Sequence, residues 1–274
     1  MNENKHITKK KVVIIVILTG IIIFIAGAFS PVSNYYKKVL EKNDASNCNV
    51  AGVPIEGYLG SFANQIIDGE VVGASSKDIV QNLLLAEADP HIKAILLSVD
   101  SSGGDAFAGE EIANALKSLT KPTVAVIRSV GLSSAYWAST GADVIFASPM
   151  SSVGDIGITA SYLDETAKDK MEGYKYIEIT STKLKDAGNP HRPLSAEEQK
   201  SWIDSVKEDH KIFVSEVAEN RNLDINDVDN LADGTSLNGM GAIDNGLADK
   251  LGDTITATDY ISDQIGEKAE VCWY

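Results

Sequence analysis

The sequence predicts an α/β domain of parallel βαβ units with a helical C-terminal elaboration, preceded by one N-terminal transmembrane helix. Three observations support this prediction: a long apolar stretch near the N-terminus, alternating strand-like and helix-like segments in residues 50–147, and an amphipathic stretch after Ser195. The chain has 274 residues, 44% of them hydrophobic, and a formal net charge of −15. This composition is typical of a folded protein, and the acidic excess argues against a nucleic-acid partner, which needs a basic face.

The apolar stretch covers residues 12–29, contains no charged residue and follows four lysines in residues 1–11. About 18 helical residues span roughly 27 Å, close to the thickness of a bilayer core. The lysines predict a cytoplasmic N-terminus, so residues 12–29 contact membrane lipid, residues 30–47 form a linker and residues 48–274 form an extracytoplasmic domain at the cell membrane. The small residues around Gly27 resemble a signal-peptide cleavage site, but the length of the apolar run favours an uncleaved anchor.

The two cysteines, Cys48 and Cys272, lie near the ends of the predicted extracytoplasmic domain. They are too few for a disulfide scaffold or a four-cysteine zinc site. A single disulfide between them and two free buried thiols are equally open alternatives.

Strand-like and helix-like segments alternate after the linker. Lys93–Val99 is a continuous apolar run, as in a strand that is buried on both faces. Further strands are predicted at Val50–Ile55, Pro122–Ile127 and Asp143–Ala147, and helices at Ser76–Ala88, Glu110–Leu119 and from Ser133 to Thr140. This order predicts parallel strands with right-handed crossovers. Further along the chain, apolar and polar residues alternate in the run Tyr174–Ile179.

Common metal and cofactor motifs are missing from the sequence, which has no CxxC, HExxH, GxSxG, GxGxxG or P-loop pattern. The four histidines are scattered, so neither a metal nor a cofactor is predicted. A Ser-His-Asp triad stays open, because its members meet in space and not in sequence.

Two segments rich in glycine and serine follow predicted strands, at the sheet edge where α/β proteins bind ligands. The segment 100–104 ends in Gly103 and Gly104, whose backbone N–H groups could form an oxyanion hole, although an ordinary tight turn explains this motif as well. In the second segment, Ser133 begins a predicted helix and is either a nucleophile or a helix cap.

A third segment, residues 180–190, contains Lys183 and Lys185. A lysine that is desolvated loses its proton more readily and can serve as the general base for a serine, without any histidine. A solvated surface loop is the alternative.

In order and spacing, these three segments resemble the signal peptide peptidase A family of membrane-anchored serine proteases. The segment 100–104 resembles the family's Asp-Ser-Pro-Gly-Gly turn. Ser133 and the residues after it resemble the family's Ser-Gly-Gly-Tyr-Tyr segment, with Asp143 ten residues after the nucleophile, a spacing that selects Ser133 over Ser134. The residues around Lys185 resemble the segment that carries the family's general base.

The resemblance covers about residues 50–255 and implies a Clp protease/crotonase-like fold. It also implies a catalytic Ser133–Lys185 dyad, preferred over one with Lys183, and an oxyanion hole from the backbone of Gly103 and Gly104. The implied reaction is cleavage of peptides in or near the membrane, including remnant signal peptides. Relatives with one such domain form homo-oligomeric rings, in which the dyad can draw its serine and lysine from neighbouring subunits.

The sequence departs from the family pattern at three places. Ser102 replaces proline in the oxyanion segment, Ser134 and Ala135 replace two glycines after the nucleophile, and Asp155 stands where the family has serine. A carboxylate near Lys185 would favour the protonated amine, so Asp155 predicts a raised pH optimum or low activity. A catalytically impaired membrane-bound scaffold and a crotonase-like acyl-binding domain are the alternative functions.

Overall fold

A computed structural model describes residues 48–62, 65–67 and 70–274 of the protein. The predicted segments 1–11, 12–29 and 30–47 lie outside these residues. Within the described part of the chain, no helix combines the length and the apolar character needed to cross a membrane. Both Cys48 and Cys272 are disulfide-bonded, which decides between the two alternatives left open by the sequence.

A central, mainly parallel sheet forms the frame of the domain. Its strands and those beside it are β1 (Val50–Gly60), β2 (Gln65–Ile67), β3 (Glu70–Val72), β4 (Ala74–Ser75), β5 (Ala94–Gly104), β6 (Thr123–Leu132), β7 (Val144–Ala147), β8 (Ser152–Gly154), β9 (Ser236–Asn238), β10 (Lys250–Leu251) and β11 (Val271–Trp273). The order across the sheet is β10-β7-β6-β5-β1-β11, with β4 on β1 and β8 on β6. Only β9, which pairs with β8, runs antiparallel in this sheet as described, and β2 and β3 form a separate antiparallel pair.

Helices separate most of the parallel strands, as the predicted crossovers require. They are α1 (Ser76–Ala88), α2 (Ala106–Lys117), α3 (Ser134–Thr140), α4 (Thr166–Glu172), α5 (Ala196–Arg221), α6 (Ile225–Leu231), α7 (Gly239–Asp244) and α8 (Thr254–Ile265). The bounds of α1 agree with the prediction because its start is marked in the sequence, where the Ser75 hydroxyl accepts a hydrogen bond from the Asp78 backbone N–H. The long helix α5 begins with a capping box formed by Ser195 and Glu198.

The apolar residues of β5 form the centre of the core. Ile95, Leu96, Leu97 and Val99 are all at most 1% exposed. On one face, Leu96 belongs to a cluster that includes Ala257 and Ile261 of α8. Since neighbouring residues of a strand point to opposite faces, the burial of every residue from 94 to 99 shows that both faces of the sheet are covered there, as the apolar run predicted.

One local prediction is wrong. The segment 100–104 is no separate turn but the end of β5, where Tyr58 and Leu59 of β1 pair with Gly103 and Gly104. Its serines and glycines resemble a turn, but this segment continues the register of β5 with β1. The alternating run 174–179 lies in no strand of the described chain.

Candidate active site

Ser133 lies at a sharp turn between β6 and α3, at the carboxyl end of a central strand. Its backbone has φ 52° and ψ −128°, a conformation that residues other than glycine rarely adopt. The Ser133 N–H donates to the Gly154 carbonyl oxygen at 2.8 Å, and the Ser133 carbonyl accepts from the Trp137 N–H at 3.0 Å. Such strained strand-to-helix turns present the nucleophile in many hydrolases, and the strain costs about 1–3 kcal/mol.

Two glycines from other elements pack directly against this elbow. A Cβ atom on Gly103, which has φ 92°, would lie 2.7 Å from the Leu132 carbonyl oxygen and 2.9 Å from the Ser133 Cβ. A Cβ atom on Gly109 of α2 would lie 2.4 Å from the Ser134 carbonyl oxygen. The absence of side chains at these positions therefore allows β5 and α2 to hold the elbow from both sides.

A cavity of about 320 Å³, here called the Ser133 cavity, opens beside the elbow. It is lined by Tyr58, Gly104, Asp105, Ala106, Ser133, Ser134, Trp137, Gly157, Ile158, Thr159 and Phe213. Ser134 is 1% exposed and its hydroxyl oxygen is enclosed, whereas Ser133 is half-buried. Of the two serines, Ser133 is thus the one that a substrate can reach.

The two predicted oxyanion donors, the N–H groups of Gly103 and Gly104, differ in their surroundings. The Gly103 N–H already donates to the Ser101 hydroxyl at 3.0 Å, and that hydroxyl donates to the Gly57 carbonyl oxygen at 2.6 Å. Gly104 lines the Ser133 cavity. A further candidate donor, which the sequence did not suggest, is the Ser134 N–H, since it lies in the first turn of α3, where amides have no acceptor within the helix.

Lys185 lies in an exposed turn, and it is absent from the lining of the Ser133 cavity. Its backbone N–H donates to the Thr182 carbonyl oxygen at 3.3 Å. Lys183 is also exposed and forms a 3.8 Å ion pair with Glu197. Neither lysine is thus among the residues that line the Ser133 cavity within one chain.

Residues 115–266 match Peptidase family S49, and residues 60–153 match the Clp protease family. The chain belongs to peptidase family S49. A provisionally named protease of Methanocaldococcus jannaschii is 36% identical to this S49 chain over 168 residues, which are 61% of the chain and 54% of that protein. The chain thus spans about half the length of this relative.

Two further comparisons cover more of the S49 chain. A protein of Enterococcus faecium, provisionally named signal peptide peptidase SppA, is 31% identical over 251 residues, 80% of this chain and 72% of that protein. Among solved structures, a variant of the 1510-N membrane-bound stomatin-specific protease in complex with a substrate peptide has a TM-score of 0.56 at 13% identity, covering 84% of this chain and 93% of the other. These comparisons support a serine peptidase with an α/β, Clp protease-like fold.

A cluster of charged residues fixes the turn that carries Lys185 in this S49 chain. The Arg192 guanidinium donates to both carboxylate oxygens of Glu198, at 2.9 and 2.5 Å, and to the carbonyl oxygen and carboxylate of Asp186, at 2.8 and 3.2 Å. Glu178 lies 3.0 Å from the same guanidinium. These four residues, the Arg192 cluster, connect the residue next to Lys185 with the first turn of α5.

The electrostatics of the Arg192 cluster are dominated by the pair with Glu198. Hydrogen bonds from Arg192 and from the Ser195 N–H lower the pKa of Glu198 to about 2. The pKa of Arg192 is raised, mainly by Glu198. Both side chains therefore stay charged over the whole physiological range, and the turn keeps its attachment to α5.

Asp155 lies beside the elbow, and no ion pair involves it among the residues that the structure describes. It follows Gly154, the residue that accepts from the Ser133 N–H, and its own N–H donates to the Thr235 carbonyl oxygen at 3.1 Å. Its φ is 52°, and burial raises its pKa. The predicted influence of Asp155 on the protonation of Lys185 stays a prediction.

An apolar groove of about 420 Å³, the Trp202 groove, adjoins the Ser133 cavity and shares Ile158 and Thr159 with it. Its other lining residues are Ala160, Tyr162, Leu194, Gln199, Trp202, Ile203, Val206 and Lys207. A Cβ atom on Gly188 would lie 2.4 Å from the Trp202 ring, so Trp202 contacts both the groove and the Lys185 turn. An extended peptide could run from the Ser133 cavity into this groove.

Within the described residues, no group of three or more His, Cys, Asp or Glu side chains could hold a metal ion. His191 instead pairs with Asp169, with 2.7 Å between Nδ1 and the carboxylate, and its ring stacks on Tyr176. His91 is 82% exposed and lies near Asp89. Neither histidine lines the Ser133 cavity, so neither is placed there to form a Ser-His-Asp triad with Ser133.

Proposed function

We propose that this S49 chain is a membrane-anchored serine endopeptidase that cleaves peptides in or near the membrane, with Ser133 as nucleophile and Lys185 as general base. The observation that carries the proposal is the strained elbow at Ser133, held beside a cavity by Gly103 and Gly109. Strain of this kind persists only where the surroundings enforce it, and it is common at catalytic residues.

In the proposed reaction, the neutral amine of Lys185 takes the proton from the Ser133 hydroxyl as its oxygen attacks the scissile carbonyl carbon. The backbone N–H groups of Gly104 and Ser134 stabilise the negative oxygen of the tetrahedral intermediate, with Gly103 able to join them if its bond to Ser101 opens. Lys185 then passes the proton to the leaving amine of the substrate, and an acyl-enzyme remains on Ser133. Water hydrolyses this ester and releases the second peptide fragment with a free carboxyl group.

We infer that the lysine comes from another copy of the chain. Lys185 is exposed and outside the Ser133 cavity of its own chain, while the Arg192 cluster holds its turn in a defined position. A homo-oligomeric ring would place the Lys185 turn of one subunit at the Ser133 cavity of the next. Placement against a neighbouring subunit would also bury the amine, which favours its neutral form.

The membrane and the substrate class are parts of the same proposal. The apolar residues 12–29 behind four lysines would anchor the chain with its catalytic domain outside the cytoplasm. The Trp202 groove is lined mainly by apolar side chains and would accept the apolar part of a remnant signal peptide. Residues 12–29 would hold the cavity close to such substrates.

The experiment compares peptide cleavage and fluorophosphonate labelling for the full-length protein in detergent. Wild type is expected to cleave and to be labelled, whereas Ser133→Ala loses both and Lys185→Ala loses at least about 99% of cleavage. Lys183→Ala is the matched control for the lysine and is expected to retain activity. An assembled wild-type protein that neither cleaves nor reacts would favour a membrane-bound scaffold or an acyl-binding domain instead.

A further inference from the structure

The Ser133 cavity has one charged side chain among its lining residues, the carboxylate of Asp105. Asp105 follows Gly104 and is the N-cap residue of α2, yet its side chain makes no capping hydrogen bond. One carboxylate oxygen accepts from the Tyr58 hydroxyl at 2.8 Å, and the other accepts from the Ser61 N–H at 3.2 Å. These bonds hold the carboxylate at the cavity and do not cap its own helix.

The negative charge of Asp105 is not neutralised within the part of the chain that the structure describes. Its two donors are neutral groups, and no ion pair involves it there. The hydrogen bond to Asp105 raises the pKa of Tyr58, so the phenol stays protonated and continues to donate. Each carboxylate oxygen has room for a further donor, because it can accept two hydrogen bonds.

The other walls of the cavity are suited to a long side chain with a cationic end. The rings of Trp137 and Phe213 stack at a centroid distance of 4.4 Å and an angle of 8°, and both are almost fully buried. Tyr58 adds a third ring beside Asp105. Because Trp137 and Phe213 stack on each other and are buried, the exposed ring of Tyr58 is the aromatic face that can contact the methylene stem of a lysine or arginine and attract its charged end.

We propose that Asp105 selects peptides that place a lysine or arginine side chain in the Ser133 cavity, an inference that rests on the proposed peptidase function. The stem packs on the Tyr58 ring, and the cationic end pairs with the Asp105 carboxylate. Asp105 is exposed, so an aliphatic side chain gains nothing from its carboxylate, and an acidic one is repelled by it. The net charge of −15 attracts basic peptides to the protein as a whole.

The test uses the full-length protein and one fluorogenic host peptide, in which lysine, norleucine or glutamate is placed at one position at a time. Norleucine matches the lysine stem without its charge. At one position, wild type is expected to cleave the lysine peptide about tenfold faster, in kcat/KM, than the norleucine peptide, with the glutamate peptide slowest. Asp105→Asn should bring the ratio of lysine to norleucine close to 1.

Asp105→Ser is the second variant, because serine is a favourable N-cap residue and keeps α2 intact if asparagine does not. Asp263→Asn, at an exposed position of α8, makes the same change in net charge and should keep the tenfold ratio. A wild-type ratio near 1 at every position, or a ratio that survives in folded Asp105→Asn and Asp105→Ser, would overturn the inference while leaving the peptidase proposal standing.

A binding measurement distinguishes a failure of this inference from a failure of the peptidase proposal. If wild type cleaves no peptide, fluorescence anisotropy of Ser133→Ala with the lysine and norleucine peptides still measures the selectivity. Tighter binding of the lysine peptide, lost when Asp105→Asn is added, would support the cationic site even without proteolysis. Equal binding of the two peptides would overturn it.

Discussion

The backbone N–H of Ser133 donates a 2.8 Å hydrogen bond to the carbonyl oxygen of Gly154. This bond ties the elbow to β8, in a backbone conformation that serine does not adopt without support from its neighbours. On the other side, Gly103 and Gly109 approach the elbow too closely for any side chain. The position of Ser133 thus depends on contacts from three separate elements.

Gly109→Ala is expected to displace the elbow. The added Cβ would lie 2.4 Å from the Ser134 carbonyl oxygen, so α2 or α3 must shift. We expect a loss of about 1–3 kcal/mol in the free energy of unfolding, measured by urea denaturation, and weaker fluorophosphonate labelling of Ser133. Gly241→Ala is the control, because its Cβ would meet its neighbours only at 3.4 Å or more. Equal stability and labelling of the two variants would show that the elbow does not need this close approach.

Asp155→Ser tests the predicted influence of Asp155 on the dyad. A carboxylate beside Lys185 of a neighbouring subunit would favour the protonated amine, and its removal should favour the neutral general base. We expect the acidic limb of the profile of kcat/KM against pH to move down by about one pH unit. Asp263→Asn controls for the change in net charge. Full wild-type activity at pH 6, or identical profiles for wild type and Asp155→Ser, would contradict the prediction.

Glu198→Gln tests the Arg192 cluster through its pH dependence. Arg192 and the Ser195 N–H lower the pKa of Glu198 from 4.5 to about 2, so its contribution to stability is fully present above about pH 4.5 and is lost as the pH falls towards 2. The difference in free energy of unfolding between wild type and Glu198→Gln should therefore be largest above pH 4.5 and shrink below it. Glu197→Gln, the exposed neighbour, should show no such change. A difference that stays constant down to pH 2 would show that Glu198 is not stabilised in its charged form.

The sequence predicted the βαβ frame well, because the buried strands are continuous apolar runs and α1 is marked by the capping Ser75. It misjudged residues 100–104, since a strand made of serine and glycine is recognisable only from its pairing with Tyr58 and Leu59. The elbow has a sequence signal in Gly131-Leu132-Ser133-Ser134-Ala135, which differs from GxSxG only in the last residue.

The remaining features of the site depend on contacts between residues distant in sequence. Nothing in the sequence marks Asp105 as a site residue, because only the folded cavity shows that it lines the same space as Ser133 and Phe213. The Arg192 cluster joins Glu178 and Glu198, twenty positions apart, around one guanidinium. Such groups become visible only when the chain has folded, since charged residues in the sequence usually indicate a solvated surface.

The most direct test of the proposed shared dyad is to mix two inactive variants. Ser133→Ala and Lys185→Ala are each purified, unfolded or dissociated together in equal amounts, reassembled and assayed for peptide cleavage. If the serine and the lysine of each site come from different subunits, about one quarter of the sites in the mixture hold both residues, and about one quarter of wild-type activity returns. No activity in a mixture that has assembled, beside a wild-type sample that recovers from the same treatment, would contradict a dyad shared between subunits.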